Sequence, residues 1–355
     1  MLKNMLSLTL LIAVILPETY AREQINVVGS STVYPFAIVV AEKFGKTTEF
    51  KTPKIESTGS GGGLKLFCAG VGKKHPDFTN SSRAITKKEI KKCRKNGVGD
   101  ITEIKVGYDG IVIANSKASK VFKMTRMDLY LALAAKIPNP DGSKSFIKNP
   151  HKTWKDVNSE LPAIKIEILG PPPTSGTRDA FVELAMEKGG CEKITWIKVL
   201  KKKNKQEYKA KCHTIREDGL YIEAGENDNL MVQKLISNPK ALAIFGFSFL
   251  EQNADKVHGA IINDVEPSFE NISSGKYPIS RPLFFYGKNA HLGAIPGMKE
   301  YVEMFLSDAA SGSDGYLTEK GLIPMPEEER AKINPKVINF TLIVGDESPS
   351  KINKK

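Results

Sequence analysis

Ile164-Lys165-Ile166-Glu167-Ile168-Leu169-Gly170 runs straight into Pro171-Pro172-Pro173-Thr174-Ser175-Gly176-Thr177-Arg178-Asp179-Ala180-Phe181-Val182. The first segment alternates apolar and charged residues as a strand does. The second opens a helical spacing through Phe181, Val182, Leu184 and Ala185. Hydroxyls and a glycine therefore fall where a strand hands over to a helix. At a helix start the backbone N–H groups lack intrahelical partners, and the macrodipole presents its positive end. That combination suits an oxyanion.

The same pattern occurs twice more. Val27-Val28 precedes Gly29-Ser30-Ser31-Thr32, which leads into Val33-Tyr34-Pro35-Phe36-Ala37. Lys54-Ile55-Glu56 precedes Ser57-Thr58-Gly59-Ser60-Gly61-Gly62-Gly63, which leads into Leu64-Lys65-Leu66-Phe67. Three such turns suggest a cage of neutral donors around one anion. Plain helix capping by Ser and Thr is the alternative.

Around these turns the chain alternates in the α/β manner. Strands are expected over 25–28, 54–57, 76–82, 101–106, 110–114, 241–250, 257–263 and 282–287. Helices are expected over 34–44, 63–69, 87–95, 127–135, 231–236 and 298–307. Residues 137–150 read as a surface loop, and 337–344 as one last short strand after Pro335. A chain of 355 residues exceeds a usual single core, so two domains are expected.

Residues 1–21 carry Lys3, an apolar run from Leu6 to Leu16 and then Thr19-Tyr20-Ala21. This is the pattern of a cleavable export signal, too short to span a bilayer. Four cysteines fall as two local pairs, Cys68 with Cys93 and Cys191 with Cys212. Pairing within each is the simplest of three connectivities in an oxidising compartment. Each bridge would close a loop of about 20–25 residues, worth about 3 kcal/mol. The formal charge is +12, and losing Lys3 and Glu18 together leaves it unchanged. Lys201-Lys202-Lys203-Asn204-Lys205 is the densest basic patch, without the interleaved aromatics that nucleic-acid binding favours. It reads as a solvated face that steers small anions.

Five motifs occur in the order and spacing of a known family: Gly29-Ser30-Ser31-Thr32-Val33-Tyr34-Pro35, Thr58-Gly59-Ser60-Gly61-Gly62, Asp77-Phe78…Ser81-Ser82-Arg83, Tyr108-Asp109-Gly110-Ile111-Val112 and Ser175-Gly176-Thr177-Arg178. With Asn238-Pro239-Lys240-Ala241-Leu242-Ala243-Ile244-Phe245-Gly246 they resemble the periplasmic phosphate-binding receptors of the phosphate-specific ABC importer, over about 25–307. The resemblance implies an α/β, two-lobed class II periplasmic-binding-protein fold with two hinge crossovers, near 107–114 and near 245–250. The expected organisation is then a signal peptide (1–21), a first lobe from 22–106 and 252–346, a second lobe from 107–251, and a tail (347–355).

By the same resemblance, phosphate contacts fall on Ser31, Thr32 and Val33, on Ser60 and Gly61, and on Ser175, Gly176 and Thr177. Two departures stand out. Where the family's third motif ends in an acid that accepts the proton of hydrogen phosphate, this chain has Ser82, followed by Arg83. Where the family has an arginine shortly before Ser-Gly-Thr, it has Pro171-Pro172-Pro173. Arg83 and Arg178 are the candidates for the missing cation, because a guanidinium fork binds two oxygens at once. Each has a salt-bridge role as its alternative, Arg178 with Asp179. Unless Asp77, Asp109 or Asp228 enters the cleft, discrimination of phosphate from sulfate is expected to be weak.

The rival readings are a receptor for another tetrahedral oxyanion (sulfate, arsenate or a phosphonate) and a secreted phosphate-ester hydrolase. For the hydrolase, neither Ser60 nor Ser175 sits in G-x-S-x-G: Thr58 and Pro173 stand two residues before them. Gly45-Lys46-Thr47 lacks the upstream glycine of a P-loop, with Val40 in its place. The five histidines, His75, His151, His213, His258 and His291, show no ligand spacing. The expectation is a non-enzymatic periplasmic monomer without metal or cofactor. Its partners would be inorganic phosphate and the importer's membrane permease subunits.

Overall fold

The computed structural model describes residues 22–344, apart from Thr174, Glu226 and Asn227 and the side chains of Asp228 and Asn229. The expected signal segment and tail lie outside the described residues. Strand β1 (Asn26–Gly29) leads into α1 (Tyr34–Thr47), β2 (Lys54–Ser57) into α2 (Ser60–Phe67), and β3 (Phe78–Ser81) precedes α3 (Lys87–Lys95). β2, β1 and β3 pair in parallel, Val27 lying opposite both Ile55 and Phe78. Right-handed crossover geometry then buries α1 and α2 against the sheet.

β4 (Ile101–Ser116) is the spine of the molecule. Its first ten residues pair antiparallel with the late strand Ser280–Lys288, which also borders β3. Its next four, Ile111 to Ala114, pair with Leu242–Gly246. Beyond that strand lie Ile168–Gly170 and then Tyr221–Glu223, both parallel. One strand therefore belongs to two lobes. Three apolar clusters follow: Val40, Phe44, Phe78, Phe285 and Tyr301 on one face of the first sheet, and Leu64, Phe67 and Tyr286 on the other. The third, with Tyr130, Trp154, Phe181 and Phe245, fills the second lobe.

The neck between the lobes has a bulge. Leu283 lies opposite Gly107 while Phe284 lies opposite Lys105, so Val106 is the extra residue. Gly107 has φ +155, and a Cβ there would stand 2.5 Å from the carbonyl oxygen of Ile323. No residue with a side chain fits that position unstrained.

The strands correct the expected return crossover. Residues 245–250 finish Leu242–Gly246 and form the helix Phe247–Gln252, both packed in the second lobe. The chain returns through Ser280–Lys288 instead. The expected last strand, 337–344, is also not a strand. The helix Glu327–Ile338 runs through Pro335 and Val337, and only an isolated bridge joins Ile343 to Thr102. Val337, Phe340 and Leu342 insert into the first lobe's core from that helix end, which explains their apolar character. The expected loop 137–150 contains a small hairpin, Lys136–Pro138 with Phe146–Lys148. The sequence reading also left unassigned a helix pair, Thr195–Lys203 and Lys205–His213. Both disulfides link the local pairs, Cys68–Cys93 and Cys191–Cys212.

Candidate functional site

The first turn is built around Ser30. Its Oγ accepts from the backbone N–H of Thr32 at 3.2 Å and of Val33 at 3.4 Å, as α1 begins. Pro35 falls in the first turn of α1, where its missing N–H costs nothing. In the second turn Ser60 opens α2, and its Oγ accepts from Ser82 N–H at 3.0 Å and meets Ser82 Oγ at 3.1 Å. The hydroxyl that opens α2 thus meets the one that follows β3. In the third turn Ser175 caps the helix Gly176–Phe181 and accepts from Thr177 N–H at 3.2 Å.

The lobes touch at these turns. Ser31 Oγ donates to Asp179 Oδ2 at 2.6 Å. A Cβ on Gly176 would lie 2.9 Å from Thr32 Cα, so only glycine lets the two backbones meet. Beside this contact is a cleft of about 570 Å³, lined by Ser31, Thr32, Thr58, Ser60, Gly61 and Ser82 from one lobe and by Asp179 and Glu183 from the other. Lys201, Lys205, Lys209 and His213 of the helix pair complete its outer wall.

Arg281 is the cation that local motifs did not reveal. It stands on Ser280–Lys288 opposite Asp109, is 6 % exposed and lines the cleft. Its Nη2 donates to Thr32 Oγ1 at 2.8 Å, its Nη1 to Glu183 at 2.8 Å and its Nε to Asp109 at 3.3 Å. Burial pushes the Asp109 carboxyl up, and Arg281 beside it pulls the other way. Burial also acts to raise Glu183, but Arg281 and Lys188 outweigh it and hold the carboxyl below its ordinary range. Glu187, next along the same wall, is taken down to about 2. Burial opposes that shift, and the hydrogen bonds from His213 and Lys201 overcome it.

Of the residues singled out from sequence, Ser31, Thr32, Ser60, Gly61, Ser82 and Arg83 line the cleft. Val33 is fully buried in the first lobe's core. Ser175, Gly176 and Thr177 stand at the lobe contact, Gly176 against Thr32, and are not among the residues that line the cleft. Arg83 is held by both oxygens of Glu89, at 2.7 and 3.0 Å. Arg178 donates to the Pro171 carbonyl and to Glu223, not to Asp179, and lies 4.8 Å over the Tyr221 ring. Asp77 sits at the far end of β3, bonded to Arg22 and to His291, outside the cleft lining. The side chain of Asp228 lies outside the described residues.

Arg281 and Glu183 were missed, and Asp179 was named only as a partner for Arg178. The usable signal was Asp109, inside the fourth motif, whose strand partner is Arg281. The cleft offers hydroxyl donors, one buried guanidinium and carboxylates that balance it, which is the chemistry of anion capture. Among the described residues no serine of the three turns is hydrogen-bonded to a histidine, the arrangement a nucleophile would need.

A two-lobed α/β fold with hydroxyl-rich turns meeting at one cleft defines a ligand-binding receptor. The chain belongs to the family of the PBP superfamily domain, whose model matches residues 17–309. It is 30% identical over 311 residues to the protein SphX of Synechococcus elongatus, covering 86% of this chain and 78% of that one. To the phosphate-binding protein PstS of Staphylococcus epidermidis it is 31% identical over 299 residues, covering 81% of this chain and 77% of that one. A crystal structure of a possible phosphate binding protein from Planctomyces limnophilus superposes with a TM-score of 0.72 at 29% identity. The match covers 89% of this chain and 98% of that one.

Proposed function

We propose that this protein captures inorganic phosphate in the interlobe cleft and hands it to the permease subunits of an ABC importer after export from the cytoplasm. The observation that carries the reading is the convergence of Thr32, Ser60 and Ser82 hydroxyls on a cleft whose buried cation, Arg281, already bonds Thr32. Family membership and the names of the similar proteins support it. The role is that of a receptor and not an enzyme. In support of export, both disulfides suit an oxidising compartment.

In this reading Ser31, Thr32, Ser60, Gly61 and Ser82 hold the anion, and Arg281 takes the cationic role first sought in Arg83 and Arg178. Ser175, Gly176 and Thr177 set the approach of the second lobe. The carboxylates that face the anion are Asp179 and Glu183. Calorimetric titration of phosphate-stripped protein with phosphate, sulfate and arsenate tests the assignment. Stoichiometric phosphate binding is expected, and none would refute it.

A further inference from the structure

The cleft has room for more than one anionic group. Its volume, about 570 Å³, falls in the range of sites that enclose drug-sized ligands, about 300–1,000 Å³. The lobes are already in contact beside it, where Ser31 bonds Asp179. Among the described residues five cations line it (Arg83, Lys201, Lys205, Lys209 and Arg281) against three carboxylates (Asp179, Glu183 and Glu187).

These charges are unevenly used. Asp179 accepts from Ser31, Glu183 from Arg281 and Lys188, and Glu187 from Lys201, with His213 also on it. Arg83 is neutralised by Glu89. Lys205 and Lys209 have no carboxylate within 4.0 Å among the described residues. They are one helical turn apart, so both face the cleft from the same side of Lys205–His213. That helix is anchored: Asn204 caps it, Tyr208 and Cys212 are buried, and Cys212 is bonded to Cys191. Two unpaired ammonium groups are thus held on a stapled element at the open end of a hydroxyl-lined cleft.

We propose that Lys205 and Lys209 form a second anionic subsite, so that the cleft takes condensed phosphates such as diphosphate as well as orthophosphate. This rests on the phosphate reading given above. One phosphoryl group occupies the Thr32–Ser60–Arg281 end, and the next meets the two lysines. An ammonium is a point charge suited to a phosphoryl group that needs no fixed orientation.

The test is calorimetric titration of wild type and of a Lys205→Gln, Lys209→Gln double variant with orthophosphate and diphosphate at one fixed, low ionic strength. Both lysines are exposed, so the substitutions leave the core intact. Wild type is expected to bind diphosphate about tenfold tighter than orthophosphate. The double variant is expected to lose that preference while its orthophosphate affinity stays within about twofold. Diphosphate bound no tighter than orthophosphate by wild type would overturn the subsite. Equal weakening of both ligands in the variant would also overturn it, since a subsite for the second phosphoryl group must discriminate between them. Failure of orthophosphate itself to bind would instead overturn the phosphate reading.

Discussion

Arg281 Nη2 donates to Thr32 Oγ1 at 2.8 Å, joining residues 249 positions apart. The strand that returns the chain to its first lobe therefore places a guanidinium against the first Ser/Thr turn. The same guanidinium holds Asp109 and Glu183. Arg281→Gln would leave the Asp109 carboxylate without its cation and Glu183 with Lys188 alone. Breaking such a group costs about 3–5 kcal/mol, and urea unfolding should show a loss of this order. Phosphate affinity should fall far more than for Arg83→Ala, whose guanidinium is already taken by Glu89. Equal binding by the two variants would return Arg83 to the site.

Thr32→Val keeps the shape of the turn and removes the oxygen that Arg281 meets. Phosphate binding should weaken by about 1.5–3 kcal/mol, the range for a hydrogen bond to a charged group. Unchanged affinity by calorimetry would take the first turn out of the site.

Selectivity now reads differently from the sequence expectation. Ser82 stands where the family has an acid, yet Asp179 and Glu183 line the cleft from the opposite lobe. A carboxylate acceptor favours an anion that brings a proton and disfavours sulfate, which leaves acceptors facing each other unpaired. Wild type should therefore prefer phosphate to sulfate clearly. Asp179→Asn should narrow the ratio by about tenfold, measured by competition. An unchanged ratio would leave Glu183 as the acceptor.

Glu187 supplies a pH dependence. Its carboxyl falls from an ordinary 4.5 to about 2, held down by His213 and Lys201 against burial. A depressed acid adds stability that is fully present above its unfolded value and is lost as pH falls through the folded one. The window is therefore about pH 4.5 down to about 2. Because Lys201 and His213 are partly exposed, the contribution is on the order of 2 kcal/mol. Thermal melts of Glu187→Gln should show a shallower loss of stability than wild type across that window. Parallel curves would reject the assignment.

The disulfide Cys191–Cys212 fixes the helix pair that carries the lysines. Replacing both cysteines with serine should lower stability by about 3 kcal/mol in the loop-entropy account. The melting temperature should drop accordingly. No drop would mean that the helix pair is held by packing alone.

The turns were legible in the sequence because caps and strand-to-helix handovers depend on residues a few positions apart. Ser30 satisfying Thr32 and Val33, and Ser175 satisfying Thr177, are contacts of that kind. The cysteine pairing was legible for the same reason of proximity. Arg281 was not: it sits in a strand between Ser280 and Pro282, and its partners are Thr32, Asp109 and Glu183. The lysine patch was visible as charge, but not as the wall of a cleft.

By itself, then, the sequence determined an α/β chain with three hydroxyl turns at helix starts and two local disulfide pairs. Those features follow from backbone hydrogen bonding and chain proximity, which act over short spans. The tertiary structure alone decided which cation meets those turns and which acids face them. Side chains more than a hundred positions apart become neighbours only through strand order. Here β4 belongs to both lobes and pairs with Ser280–Lys288 where they join, and that pairing brings Arg281, Asp109 and Thr32 together.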